Sequence, residues 1–203
     1  MELSSLFSCT LDTLLKEDIM PREDHFSAVS IVTVPAFTIG RYVIISPQPE
    51  NDVQMYLDNW AKQNGLYEHT PKPRQIGWDF PFVSMEQQNR FGLRGYVAGW
   101  IMPEGFEPKC PGVEMYSQSS ARYAKITVYD PFQAAFDRIP KGYKKNLEYL
   151  GANGFQENHG TEFLGCFEEV YEKDGLTCMD IYIHADCVGK GNLHTDFSRD
   201  MNT

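Results

Sequence analysis

From Val29 onward the apolar residues recur at two different spacings, and the spacing assigns the elements. Val29, Ile31, Val32 and Val34 form one β-rich run that Pro35 ends. Ile39, Tyr42, Val43, Ile44 and Ile45 form a second, closed by Pro47 and Pro49. Branched and aromatic side chains in such runs suit a pleated, half-buried surface. The period then lengthens. Val53, Leu57, Trp60 and Ala61 fall at i, i+4, i+7 and i+8, which places one apolar stripe on a helix from Asn51 to about Asn64. Asn51 is suited to cap that helix, and Gly65 to end it in a left-handed conformation. A proline-containing loop leads to a short strand around Ile76-Gly77-Trp78-Asp79-Phe80-Pro81, and a further loop precedes a strand from Leu93 to Met102.

The order then repeats. Val113 to Tyr129 reads as strand, bend, strand. Asp130-Pro131 opens a helical stretch, Pro140 restarts it as a first-turn proline, and Asn153-Gly154 ends it. Strands at about Phe163–Glu172 and Met179–His184 follow, separated by the turn signal Lys173-Asp174-Gly175. The pattern predicts an α+β fold of two pseudo-symmetric β-α-β-β halves, about 28–106 and 111–186. Their strands join in one antiparallel sheet, with helices on one face and a groove at the junction. Residues 1–27 read as a helical extension, with Leu3, Leu6, Phe7, Leu11, Leu14 and Leu15 at helical spacing before Pro21 breaks the run. Residues 187–203 read as a polar tail.

Strand alternation sorts the side chains by face. In the strand around Trp100, the aliphatic set Val97, Gly99 and Ile101 is expected to pack on a helix, leaving Tyr96 and Trp100 on the ligand side. Ala124, Ile126 and Val128 read as core, with Tyr123 and Lys125 opposite. Ile181 and Ile183 read as core, with Asp180, Tyr182 and His184 opposite. Phe167, Glu169 and Tyr171 share one face, and Cys166, Glu168 and Val170 the other. Trp60 belongs to the core, on the apolar stripe of its helix.

Composition narrows the functional classes. The 203 residues carry 18 Lys+Arg against 28 Asp+Glu, a net charge of −10, and no basic run, which argues against direct nucleic-acid contact. No stretch approaches the roughly 20 apolar residues that span a bilayer. An acidic residue at position 2 does not suit a signal peptide. The 5 cysteines are scattered without a Cys-x-x-Cys, as in a reduced, cytoplasmic protein. The 5 histidines have no metal-ligand spacing, and no phosphate loop appears, so neither a metal nor a cofactor is expected. Aromatics are abundant: 3 Trp, 11 Tyr and 13 Phe. A core absorbs many of them, but a stacking pocket for a flat ligand also uses them.

Several segments carry a resemblance to the GyrI-like small-molecule-binding domains, which also serve as effector-binding portions of multidrug-sensing activators. These are Val34-Pro35-Ala36-Phe37, Pro111-Gly112-Val113-Glu114 with Arg122-Tyr123-Ala124, and Phe167-Glu168-Glu169-Val170-Tyr171-Glu172 up to Met179-Asp180-Ile181-Tyr182-Ile183. The resemblance covers about residues 29–186. It implies that small hydrophobic, often aromatic or cationic molecules bind at the junction of the halves. It also implies a central strand glutamate followed two residues later by tyrosine, here Glu169 and Tyr171.

An aromatic cage would draw on Trp78, Trp100, Tyr123, Tyr171 and Tyr182, with Tyr96 and Phe167 as further ligand-binding candidates. One branch of the family hydrolyses the strained cyclopropane of DNA-alkylating cyclopropanoid antibiotics. In that reading Glu169 is the base for water, and Tyr123 or Tyr171 donates to the developing phenolate. Two alternatives stand beside it: a binding protein that sequesters its ligand without turnover, and a regulatory or gyrase-inhibitor-like module.

Overall fold

A computed structural model of the chain describes residues 25–156 and 162–187. The expected helix before residue 25 and the tail beyond residue 187 lie outside the described residues. The strands are β1 (Ser30–Val34), β2 (Phe37–Ser46), β3 (Gln75–Asp79), β4 (Arg94–Ile101), β5 (Glu114–Gln118), β6 (Ala121–Tyr129), β7 (Phe155–Gln156), β8 (Cys166–Lys173), β9 (Leu176–His184) and β10 (Asp186–Cys187). The helices are α1 (Pro49–Asn64), α2 (Leu66–His69), α3 (Met85–Phe91) and α4 (Ala135–Ala152), the last preceded by a 3-10 turn at Pro131–Ala134.

The main sheet is antiparallel, in the order β1-β6-β9-β8-β3-β4-β2-β5. Read from either end the order describes the same half, with β1 exchanged onto the second half and β5 onto the first. The halves meet at one backbone pair, Gly77 opposite Glu168. The α+β class, the two-half arrangement and the placement of the helices on one face agree with the sequence pattern.

The helices hold one face of the sheet. Val53, Leu57, Trp60 and Ala61 of α1 pack with Ala98 and Trp100 of β4. Burying each large apolar side chain of this kind contributes about 1.5–3 kcal/mol. Helix α4 covers β6 and β9, where Ile126, Val128, Met179 and Ile181 meet Ile139 and Tyr143. Gly142 permits the close approach: a Cβ there would come within 2.8 Å of Ile181 Cδ1 and 3.0 Å of Val128 Cγ2. Asn146, fully buried, donates from Nδ2 to the Ile181 carbonyl at 3.0 Å and fixes the helix on the strand.

Among the described residues no helix covers the other face, yet Ile39, Tyr123 and Phe167 on it are at most 1% exposed. The sheet buries that face by curling over itself into a half-barrel. One cluster there joins Val32 and Val34 of β1 to Phe37 of β2, Ile101 of β4, Phe167 of β8 and Tyr182 of β9.

Four local expectations change. Helix α1 begins at Pro49 with Gln48 as its cap residue, so Asn51 lies inside the first turn. Proline is tolerated there because the first-turn N–H groups have no partner in the helix. Pro140 sits inside α4 without restarting it. Helix α3 occupies what read as loop. Its signal is the capping box from Ser84 to Gln87, where each side chain bonds the other's backbone N–H, with left-handed Gly92 ending it. The fourth is the face assignment of β4. Trp100 and Ala98 pack against α1, while Ile101 lies inside the half-barrel. An aliphatic run and an aromatic run can each fill a core, and here the wide gap under a helix took the indole.

Candidate ligand-binding site

The seam between the halves holds the site. Because Gly77 pairs with Glu168, the Glu168 side chain rises from the middle of the sheet on the helix-bearing face. Gly77 has no side chain to obstruct it: a Cβ there would lie 2.5 Å from Tyr96 Oη. The Tyr96 ring therefore crosses β3, and its hydroxyl donates to Glu168 Oε2 at 3.3 Å. From the other half, Tyr143 of α4 donates to Oε1 at 2.9 Å. One carboxylate is thus held by a phenol from each half.

This geometry sets the protonation states. Burial pushes the Glu168 carboxyl above its usual range, and the nearby charges of Asp79 and Glu50 add to the rise, while the two phenol hydrogen bonds oppose it. Burial and the adjacent carboxylate push both phenols well above theirs, so Tyr96 and Tyr143 remain donors. Asp79 is also raised, chiefly by burial, with Glu50 adding and Arg94 opposing.

Above Glu168, between α1 and α4, lies a groove of about 780 Å³. Ala98, Ile139, Met179 and Pro140 contribute apolar wall, and Glu50, Asp79 and Glu168 contribute carboxylates. Arg94 pairs with Glu50 at 3.1 Å. Phe132 and Phe136 form one lip and are 59% and 95% exposed. An apolar trough with surplus negative charge and exposed phenyl rings suits a flat hydrophobic cation.

The sequence-derived candidates divide between the two faces. Of them, Tyr96 reaches this groove. Trp100 is in the α1 core, its indole N–H donating to the Leu57 carbonyl at 3.2 Å. The others lie on the half-barrel side. Glu169 is clamped by Arg74, with Nε and Nη2 each donating at 2.7 Å. Tyr171 donates to Asp180 at 3.2 Å. Tyr123 is fully buried and donates to the Leu164 carbonyl at 2.8 Å. Phe167 and Tyr182 stack with ring centroids 4.5 Å apart. Trp78 is half-buried in the same cluster.

The structure therefore does not bring Glu169 together with Tyr96, because neighbours on a strand point to opposite faces. Glu168, Tyr143, Phe132 and Phe136 went unnamed as site residues. Tyr143 had a signal, since Ile139, Tyr143, Asn146 and Leu150 follow a helical stripe. Among the described residues no group of His, Cys, Asp and Glu is placed to hold a metal, and no helix is long and apolar enough to cross a membrane.

In sequence, no family model and no curated protein matches the chain. Its likeness is to solved structures. EcmrR in its DNA complex superposes with a TM-score of 0.54 at 9% identity, over 87% of this chain and 63% of that one. The EcmrR C-terminal domain gives 0.53 at 8% identity, over 79% of this chain and 98% of that one. A hydrolase from Listeria innocua gives 0.50 at 7% identity, over 86% and 98%. The chain thus spans under two thirds of the longer EcmrR chain, and at these identities the likeness is one of fold. That fold, a curled eight-stranded antiparallel sheet with helices on one side, is consistent with a GyrI-like fold. The expectation that acidity excludes a nucleic-acid partner does not stand, because a chain of this fold is seen in a DNA complex. The physical reason is that net charge describes this chain alone. A protein can carry its DNA contacts on residues outside the shared domain.

Proposed function

We propose that the protein binds small, flat, hydrophobic cations in the groove between α1 and α4, with Glu168 as counter-charge. The observation that carries this is the central carboxylate. It is raised in pKa by burial, gripped by Tyr96 and Tyr143, and roofed by an apolar trough with no unpaired cation among the described residues that line it. A ligand cation restores the favourable environment that burial removes from the carboxylate. Phe132 and Phe136 supply ring faces at the entrance.

N-Methylquinolinium and its neutral isostere 1-methylnaphthalene give the test by titration calorimetry. Binding of the cation at least tenfold tighter than the isostere is expected; equal binding removes the charge-recognition reading.

A second reading has one observation in its favour, a carboxyl beside two phenols at 2.9 and 3.3 Å. In it the site opens the cyclopropane of a cyclopropanoid antibiotic. Glu168, not Glu169, would take the proton of an attacking water. The water oxygen bonds to a ring carbon as the strained C–C bond breaks, its electrons pass to the conjugated carbonyl oxygen, and that phenolate receives the proton. General-base positioning contributes a factor of about 10²–10⁴. Turnover of a cyclopropanoid that Glu168→Gln loses would support it; binding without turnover leaves the binding reading alone.

A further inference from the structure

The half-barrel has a mouth of its own, on the face away from the groove. A hollow of about 220 Å³ opens there. Its apolar lining includes Val34, Ile101, Phe167 and Tyr182, and Arg74 and Lys125 stand at its rim. The size exceeds the roughly 150 Å³ that holds a benzene in an engineered protein cavity.

The two cations are ion-paired, but unequally. Arg74 is 57% exposed against 13% for Glu169, and Lys125 is 29% exposed against 5% for Asp180. Each carboxylate is sheathed, and the cation is the outward member of its pair. Asp180 is further enclosed by hydroxyl donors from Thr127, Tyr171 and Tyr182. Glu169 occupies Nε and Nη2 of Arg74, so among the described residues the Nη1 edge of the guanidinium is left for a second acceptor. Lys125 Nζ lies 5.6 Å from the centre of the Tyr182 ring and retains donors beyond its bond to Asp180. An apolar floor beneath two outward cations recognises the opposite charge from the groove.

We propose that this mouth is a second ligand site, for a small amphiphilic monocarboxylate. A ring or short branched chain rests on the stacked Phe167 and Tyr182, and the carboxylate is received by Arg74 and Lys125. The site does not depend on the groove reading, because its residues and its ligand charge are different.

Titration of the full chain with phenylacetate, followed by two-dimensional NMR, decides the matter, with phenylacetamide as the uncharged control. Saturable shifts at Phe167, Tyr182 and β1 are expected, with phenylacetamide at least tenfold weaker. Arg74→Gln and Lys125→Met should each weaken phenylacetate at least fivefold in variants whose spectra show the native fold. Should Arg74→Gln fail to fold, Val34→Trp, which fills the hollow, should abolish the shifts. No saturation, equal binding of the amide, or wild-type affinity in the folded variants overturns the proposal.

Discussion

Replacing Glu168 by glutamine keeps the volume at the groove floor and a hydrogen-bonding partner for both phenols while removing the charge. At roughly 5 Å and an effective dielectric of about 20, the attraction between a ligand cation and the carboxylate is about 3 kcal/mol. That corresponds to about 200-fold in Kd. Part of the gain is offset, because burial and the nearby Asp79 and Glu50 hold the carboxyl partly towards its neutral form. The expected loss for Glu168→Gln with N-methylquinolinium is therefore about 10- to 200-fold.

The pH dependence has a definite sign. Only the ionised carboxylate attracts the cation, so wild-type affinity rises as the pH climbs through the Glu168 titration, above the ordinary 4.5, and the variant keeps only the weaker rise that Asp79 contributes. Binding releases a proton in wild type, which calorimetry in buffers of different ionisation enthalpy reads directly. The folded carboxyl binds its proton more tightly than the unfolded one, so wild type loses stability as the pH rises from 4.5 through the folded pKa. Glu168→Gln lacks that loss. A variant that binds the cation within twofold of wild type, with the same pH profile, refutes the reasoning.

Two predictions concern stability. Asn146→Ala removes the buried donor to the Ile181 carbonyl and should cost about 1–3 kcal/mol in urea unfolding; an unchanged midpoint would show that α4 needs no such anchor. His184 stacks on Phe163 at 3.8 Å and its pKa is lowered, chiefly by burial, with Arg122 adding and Asp186 opposing. Stability should therefore fall as the pH drops from 6.5 through the folded pKa, because the unfolded imidazole takes its proton first. His184→Phe should flatten that segment of the stability curve, and a curve of wild-type shape would locate the acid sensitivity elsewhere.

The sheet and its two long helices were legible because their signals are local. Alternation in β6, β8 and β9 put Tyr123, Phe167 and Tyr182 opposite Ile126 and Ile181, as the structure has them. The turn at Asp174-Gly175, both at positive φ, was legible from residue type. What alternation could not decide is which face a sheet offers to its ligand. In this sheet both faces are buried, one by helices and one by curling, so an aromatic stripe marks either. Glu168 and Glu169 are adjacent in sequence and differ by what the third dimension brings: phenols from β4 and α4 to one, a guanidinium from the loop before β3 to the other. Phe132 and Phe136 carried no periodic signal, because an exposed lip has no packing partner to impose one.

A crystal structure of the protein with N-methylquinolinium tests the central claim most directly. The account predicts the ring between α1 and α4, with its cationic nitrogen within about 5 Å of the Glu168 carboxylate. A cation seated in the half-barrel mouth beside Glu169, with the groove empty, would contradict it.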